Sequence, residues 1–175
     1  MNKKIEVSIS GLGVGERHTK HVIDNRDASL HSVFDTDKKK LRKVKKKFKI
    51  NSSKSFMEMI SNNKIKLVVI ASPDHIHCEQ IIESFKNKKH IFTEKPICNN
   101  LDELQQIVFQ WKKNKKKLKF RSNLILRSSP LFLWLKKKIL EGYFGKIYSI
   151  DAEYLYGRLN KFIDGWRGNS KDYSP

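Results

Sequence analysis

Apolar positions along this chain fall into two patterns. Short runs at residues 5–10 (IEVSIS), 30–34, 67–71 (LVVIA), 90–93 and 118–123 have the length and β-branched content of strands. LVVIA shows no polar alternation, which predicts a strand covered on both faces in a parallel sheet. The segments between them carry apolar residues three and four apart. Leu41, Val44 and Phe48 predict a helix over 37–48, with Asp37 placed to cap it. Leu101, Leu104, Ile107, Val108 and Trp111 form the expected buried stripe of another helix, opened by Asn100 as cap and Glu103 at the third helical place. Residues 16–25 and 55–61 read as further helices, and the Ser72-Pro73-Asp74-His75 turn starts one more. A short strand at 48–50 brings the expected count to six. Alternation of strand and helix is the signature of an α/β fold with a doubly wound parallel sheet, the Rossmann arrangement.

Past residue 123 the pattern changes. Residues 129–142 (SPLFLWLKKKILEG) predict a helix with Pro130 in its first turn and Gly142 at its end. Residues 147–156 (IYSIDAEYLY) alternate well enough for a strand, which would need another strand to pair with.

Composition changes this picture little. The formal net charge is +19, from 37 Lys and Arg against 18 Asp and Glu. Such a balance invites a polyanion reading, but the basic residues are mostly lysines on the polar faces of the expected helices. Recognition of phosphates and bases leans instead on arginine forks and aromatic platforms. Nucleic acid is therefore not the expected partner. No apolar run approaches the ~18 residues of a membrane span, and residues 1–10 do not read as a signal peptide. Two cysteines, Cys78 and Cys98, make no disulfide framework and suit a reducing compartment, so a cytoplasmic location is expected.

The candidate chemistry starts where the first strand ends. Gly11 and Gly13, in GLGVG, hold the first two places of the dinucleotide fingerprint G-x-G-x-x-G. The first glycine permits a tight turn. The second leaves no side chain between the backbone and a pyrophosphate, which the amides of the Gly11-Leu12-Gly13-Val14-Gly15 loop and the helix N-terminus can then face. The third place is Glu16, so either Gly15 takes over the close packing or the helix sits farther out. Asp35 follows the second strand, 24 positions after Gly11. A carboxylate there bonds ribose hydroxyls and repels a 2′-phosphate, favouring NAD over NADP, unless Asp35 serves only as a cap or turn residue. His75 and His77 lie two apart on an expected helix and diverge, so no metal site is expected. Ser72, Pro73 and His77 sit instead where open α/β sheets bind ligands, or simply pack.

Taken together, GLGVGERH, SPDHIH, Glu94-Lys95-Pro96 and the stretch RSNLILRSSP through GYFGKIYSI resemble the glucose–fructose oxidoreductase/inositol dehydrogenase (Gfo/Idh/MocA) family, in order and over nearly the whole chain. The resemblance implies an NAD(P)-binding Rossmann domain at 1–123. At 124–175 it implies the beginning of an α/β substrate and oligomerisation domain with an open, mostly antiparallel sheet. It implies hydride transfer between nicotinamide and a hydroxyl of a sugar, cyclitol or sugar nucleotide. Lys95 would be the catalytic residue, bonding the reacting oxygen, often ahead of a cis peptide at Pro96. Glu94, Pro96, Pro73 and His77 would lie on the cofactor side, and Asn123 and Arg127 on the substrate side. The resemblance also implies a further segment with a glycine-rich turn and an Asp/His pair, which these 175 residues do not contain. The expectation is thus a truncated or split member of the family, acting as a homo-oligomer or paired with a missing C-terminal half.

Overall fold

The computed structural model describes residues 4–114, 117–157, 160–163 and 168. They divide between Asn123 and Leu124 into two compact units. The first is built on five parallel strands: β1 (Ile5–Ser10), β2 (Ala28–Phe34), β3 (Leu67–Ile70), β4 (His90–Thr93) and β5 (Phe120–Ser122), in the order β2-β1-β3-β4-β5. The order reverses at β1, so a crevice opens beyond the carboxyl ends of β1 and β3, the place where open α/β sheets hold ligands. Around the sheet lie α1 (Gly15–Ile23), α2 (Lys38–Phe48), α3 (Phe56–Ser61), α4 (His77–Lys86) and α5 (Leu101–Asn114).

The continuous apolar strands divide their side chains between two cores. Val68, Ile70 and Ile91 pack with Met59, Ile60, Ile81, Phe85 and Ile107, the cluster beneath α3, α4 and α5. Their neighbours Val69 and Phe92 point the other way, to Val7, Ile9, Val33, Leu41 and Val44 beneath α1 and α2. This period of two is why LVVI needs no polar residue. On β1 the second face is serine. Ser8 and Ser32 share a hydrogen bond (3.0 Å), and Ser32 shares another with Ser53 (2.9 Å), so the buried hydroxyls find partners. Asp37 caps α2 through Lys39 N and Lys40 N, and Ser55 caps α3 through Glu58 N. At α5, Asn100 accepts from Glu103 N, while the Glu103 carboxylate reaches back to Asn99 N rather than to Asn100.

Four expectations are corrected. No strand forms at 48–50, because Lys49 closes α2 in the left-handed conformation (φ 53°) and the chain then touches β2 only through a single Val33–Ser52 bridge. The sheet therefore has five strands, and the Ser72 turn follows the third. Of the apolar stripe expected on α5 only Ile107 is buried, while Leu101 and Trp111 are exposed. Spacing fixes which face is apolar, not how far a helix reaches into the core. Before α4, Asp74–Ile76 form one 3-10 turn, so the helix proper begins at His77. Residues 147–156 adopt neither helix nor strand and are exposed; alternation alone makes no strand without the backbone ladder of a neighbouring one.

The second unit holds a 3-10 turn at Ile125–Ser128, α6 (Pro130–Leu140), with Pro130 in its first turn, and α7 (Asn160–Ile163). Gly142 follows α6 with φ +70°, a glycine conformation beyond a helix end. The Trp166-Arg167 part of the tail lies outside the described residues. Among the described residues no helix is long and apolar enough to cross a membrane.

Candidate functional site

The carboxyl ends of the strands are joined by hydrogen bonds that run one residue past the sheet. Gly11 N donates to Phe34 O (2.8 Å), Ala71 N to Ser10 O (2.7 Å), Glu94 N to Ile70 O (2.8 Å) and Asn123 N to Thr93 O (2.7 Å). The ladder thus brings the Gly11–Gly15 loop, Asp35, Ser72, the Glu94-Lys95-Pro96 turn and Asn123 to one edge.

The three glycines of the loop meet different surroundings. Gly11 has φ +86°, and a Cβ there would lie 2.4 Å from the backbone of Ala71 and Ser72, so the loop touches the end of β3 directly. At Gly13 a Cβ would meet nothing within 4 Å, leaving the backbone open to a ligand. Gly15 is buried, and its Cβ would come within 3.1 Å of Ile9 Cγ2 and 3.3 Å of Ala71 Cβ. Gly15 therefore provides the close helix–strand packing that the fingerprint assigns to its third glycine. Helix α1 begins after Val14 with no side-chain cap; Arg17 N turns back to Val14 O (2.9 Å), and the amides before it are suited to an external anion.

Asp35 uses both carboxylate oxygens locally: Oδ2 accepts from Leu12 N (2.6 Å) and Oδ1 from Asp37 N (2.7 Å). It is at once a turn residue and a brace for the glycine loop. Each oxygen keeps a second lone pair for a hydroxyl. These features, the open backbone at Gly13, an uncapped helix and a carboxylate at the tip of β2, fit a dinucleotide. Leu12 is buried and Val14 half exposed in the same loop.

Lys95 is exposed, and its peptide bond to Pro96 is cis. On one side of it, Glu94 Oε1 accepts from His18 Nε2 (2.7 Å) and from Asn123 Nδ2 (2.8 Å). Burial pushes the Glu94 carboxyl up, but the bonds from His18, Asn123 and the Lys95 backbone outweigh it and hold it below the usual glutamate value. On the other side, the ring of His77 is wholly buried, with Nδ1 2.6 Å from Pro96 O and Nε2 2.8 Å from Ser72 O. Both ring nitrogens are thus engaged by backbone. Gln80 Oε1 accepts from the hydroxyls of Ser72 (2.8 Å) and Ser10 (3.3 Å), securing the same turn beside Pro73.

Sequence reasoning missed His18 and Gln80. The signal was available for His18, which lies one turn into α1 and faces back over the sheet, its ring edge-on to Phe92. Asn123 belongs to the first unit and bonds Glu94, whereas Arg127 lies in the second unit, in the 3-10 turn, exposed. Burial, followed by the charges of Glu103, Cys98 and Glu79, pushes the Cys78 thiol up to about 11, unlike an activated nucleophile.

Comparison with known proteins agrees with this geometry. Residues 5–121 match the family model GFO_IDH_MocA, described as an oxidoreductase family with an NAD-binding Rossmann fold. The myo-inositol 2-dehydrogenase of Thermotoga maritima is 30% identical over 111 residues, 62% of this chain and 33% of that protein. The 2,7-anhydro-N-acetylneuraminate hydratase of Escherichia coli is 32% identical over 100 residues, 57% of this chain and 26% of that one. The crystal structure of scyllo-inositol dehydrogenase from Lactobacillus casei, with bound NAD(H) and scyllo-inositol, superposes with a TM-score of 0.78 at 26% identity, over 83% of this chain and 43% of that chain. The chain thus spans about a third or less of these two curated relatives and under half of the solved one.

Proposed function

The chain belongs to the Gfo/Idh/MocA family of NAD-binding oxidoreductases, and from that premise we propose that its first unit binds NAD in preference to NADP. We propose further that it presents Lys95 to a hydroxyl-bearing sugar, cyclitol or sugar-nucleotide substrate. The observation that carries the reading is the 2.7 Å bond from His18 on α1 to Glu94. It puts the glycine-loop helix and the Lys95 turn at one edge, so a single extended molecule can touch both. When bound, the nicotinamide supplies hydride acceptance or donation. The Gly11–Gly15 loop would hold the pyrophosphate on backbone amides, and Asp35 would take the adenosine ribose hydroxyls and repel a 2′-phosphate. The Lys95 ammonium would donate to the reacting oxygen and stabilise charge building on it. Ser72, Pro73, Glu94 and Pro96 shape the cofactor side of that turn, and Asn123 lies beside it with Arg127 as a further substrate contact. Inositol dehydrogenases among the relatives favour a polyol ring as substrate. The neuraminate hydratase widens the class to sugar rings in general. Assembly as a homo-oligomer belongs to the same proposal.

Fluorescence titration with NADH and NADPH tests the cofactor. NADH is expected to bind at least about tenfold more tightly, given the repulsion at Asp35. Binding by neither at millimolar concentration, in a folded sample, overturns the reading.

A further inference from the structure

The turn that carries Lys95 is gripped at both ends by histidines to which the proposed chemistry gives no part. At one end His18 Nε2 donates to Glu94 Oε1 (2.7 Å), and Asn123 Nδ2 donates to the same oxygen (2.8 Å). At the other end His77 spans from Pro96 O (2.6 Å) to Ser72 O (2.8 Å), with no accessible surface of its own. A neutral imidazole can donate to only one of those carbonyls and an imidazolium to both, so a proton on Nδ1 is what ties the ring to the Pro96 carbonyl. The flanking residues come from three different elements: α1, the start of α4, and the residue after β5. Lys95 between them is exposed and has four rotatable side-chain bonds, so only its backbone can be aimed by the fold.

We propose that His18 and His77 are positioning residues which together fix the Lys95 turn, His18 through the Glu94 carboxylate and His77 through the Pro96 carbonyl. A buried histidine serving only to fill space would lie among apolar side chains and would be replaceable by one of similar size. Here the polar atoms, not the ring volume, make the connections. Functional groups held by supporting hydrogen bonds keep the sub-ångström placement that chemistry needs, and a loosened support displaces them without abolishing binding. The consequence for NAD rests on the cofactor reading above, whereas the grip on the turn does not.

Both parts can be read from the reactivity of Lys95. The full chain would be labelled with a limiting amount of an amine-acylating ester, and modification at Lys95 quantified by peptide mass spectrometry against the surface residue Lys64. In folded H18L and H77L proteins, the Lys95-to-Lys64 ratio should shift by at least about threefold from wild type. H77Q, which still donates to one carbonyl, should fall between. With NADH at saturating concentration, protection of Lys95 should fall by about tenfold in H18L and H77L. Unchanged labelling and unchanged protection in both variants overturn the proposal. If NADH fails to bind the wild-type chain, the cofactor reading falls, and the labelling ratio in the free protein still decides the grip. If circular dichroism shows that H77L does not fold, H18L at its partly buried position decides it.

Discussion

Replacing Gly11 by alanine would drive a methyl group to within 2.4 Å of the Ala71 and Ser72 backbone, at a φ of +86°. Neither side can yield without breaking the Ala71–Ser10 bond, so G11A should lose about 3 kcal/mol or more in urea unfolding. G13A meets empty space and should unfold within about 0.5 kcal/mol of wild type, yet lose at least about tenfold in NADH affinity, because the methyl occupies the approach to the backbone. Glu94 gives a pH signature. Its folded carboxyl stays ionised to lower pH than an unfolded one, so its contribution is complete above the unfolded value of about 4.3 and is lost as pH falls through the folded value. Stability measured from pH 6 down to pH 3 should therefore fall less steeply in E94Q than in wild type. The motif at Gly11 and Gly13 was legible in the sequence. The role of Gly15 was legible only as one of two alternatives, because the fingerprint's spacing points to Glu16, and the contact with Ile9 and Ala71 shows that Gly15 lies against the strand.

At the scale of elements, strands were easier to read than depth. LVVIA declared a strand covered on both faces because no polar residue interrupts it, and Asp37 and Asn100 declared helix starts through their side-chain oxygens. The stripe on α5 misled because, of its five apolar positions, only Ile107 is buried while Leu101 and Trp111 stay exposed. Residues 147–156 misled because alternation describes a side-chain pattern, while a strand exists only when a second backbone bonds to it. One junction had no sequence signal at all. Lys89, in the turn between α4 and β4, is 4% exposed and donates to Asn62 O (2.8 Å) and Ile65 O (3.0 Å) ahead of β3. A lysine in a basic run reads as solvated, and nothing in its neighbours marks this one as buried. Burial, and then Lys66 nearby, lowers its pKa. K89M would remove both bonds, although Asn62 O keeps a bond from Ile65 N (3.1 Å), and should cost about 1–3 kcal/mol in chemical denaturation. A gain in stability would show that burying the ammonium costs more than its two bonds return.

For the molecule as a whole, all the buried hydrophobic residues among those described lie between Val7 and Leu118. Beyond Asn123 most apolar side chains among the described residues are exposed, with Leu140 77%, Leu155 89% and Tyr148 97% exposed. Residues 1–123 alone should accordingly bind far less of a hydrophobic dye than the full chain; equal dye binding would show that those side chains are covered in solution. The four amides that extend the ladder past the strand ends carry a different consequence. Gly11, Ala71, Glu94 and Asn123 each borrow the last carbonyl of a neighbouring strand. Their protons should therefore exchange with deuterium on the timescale of global opening rather than of loop fraying. The rim that would receive a ligand is thereby as durable as the sheet beneath it, and what adapts to an incoming molecule is side chain, not main chain.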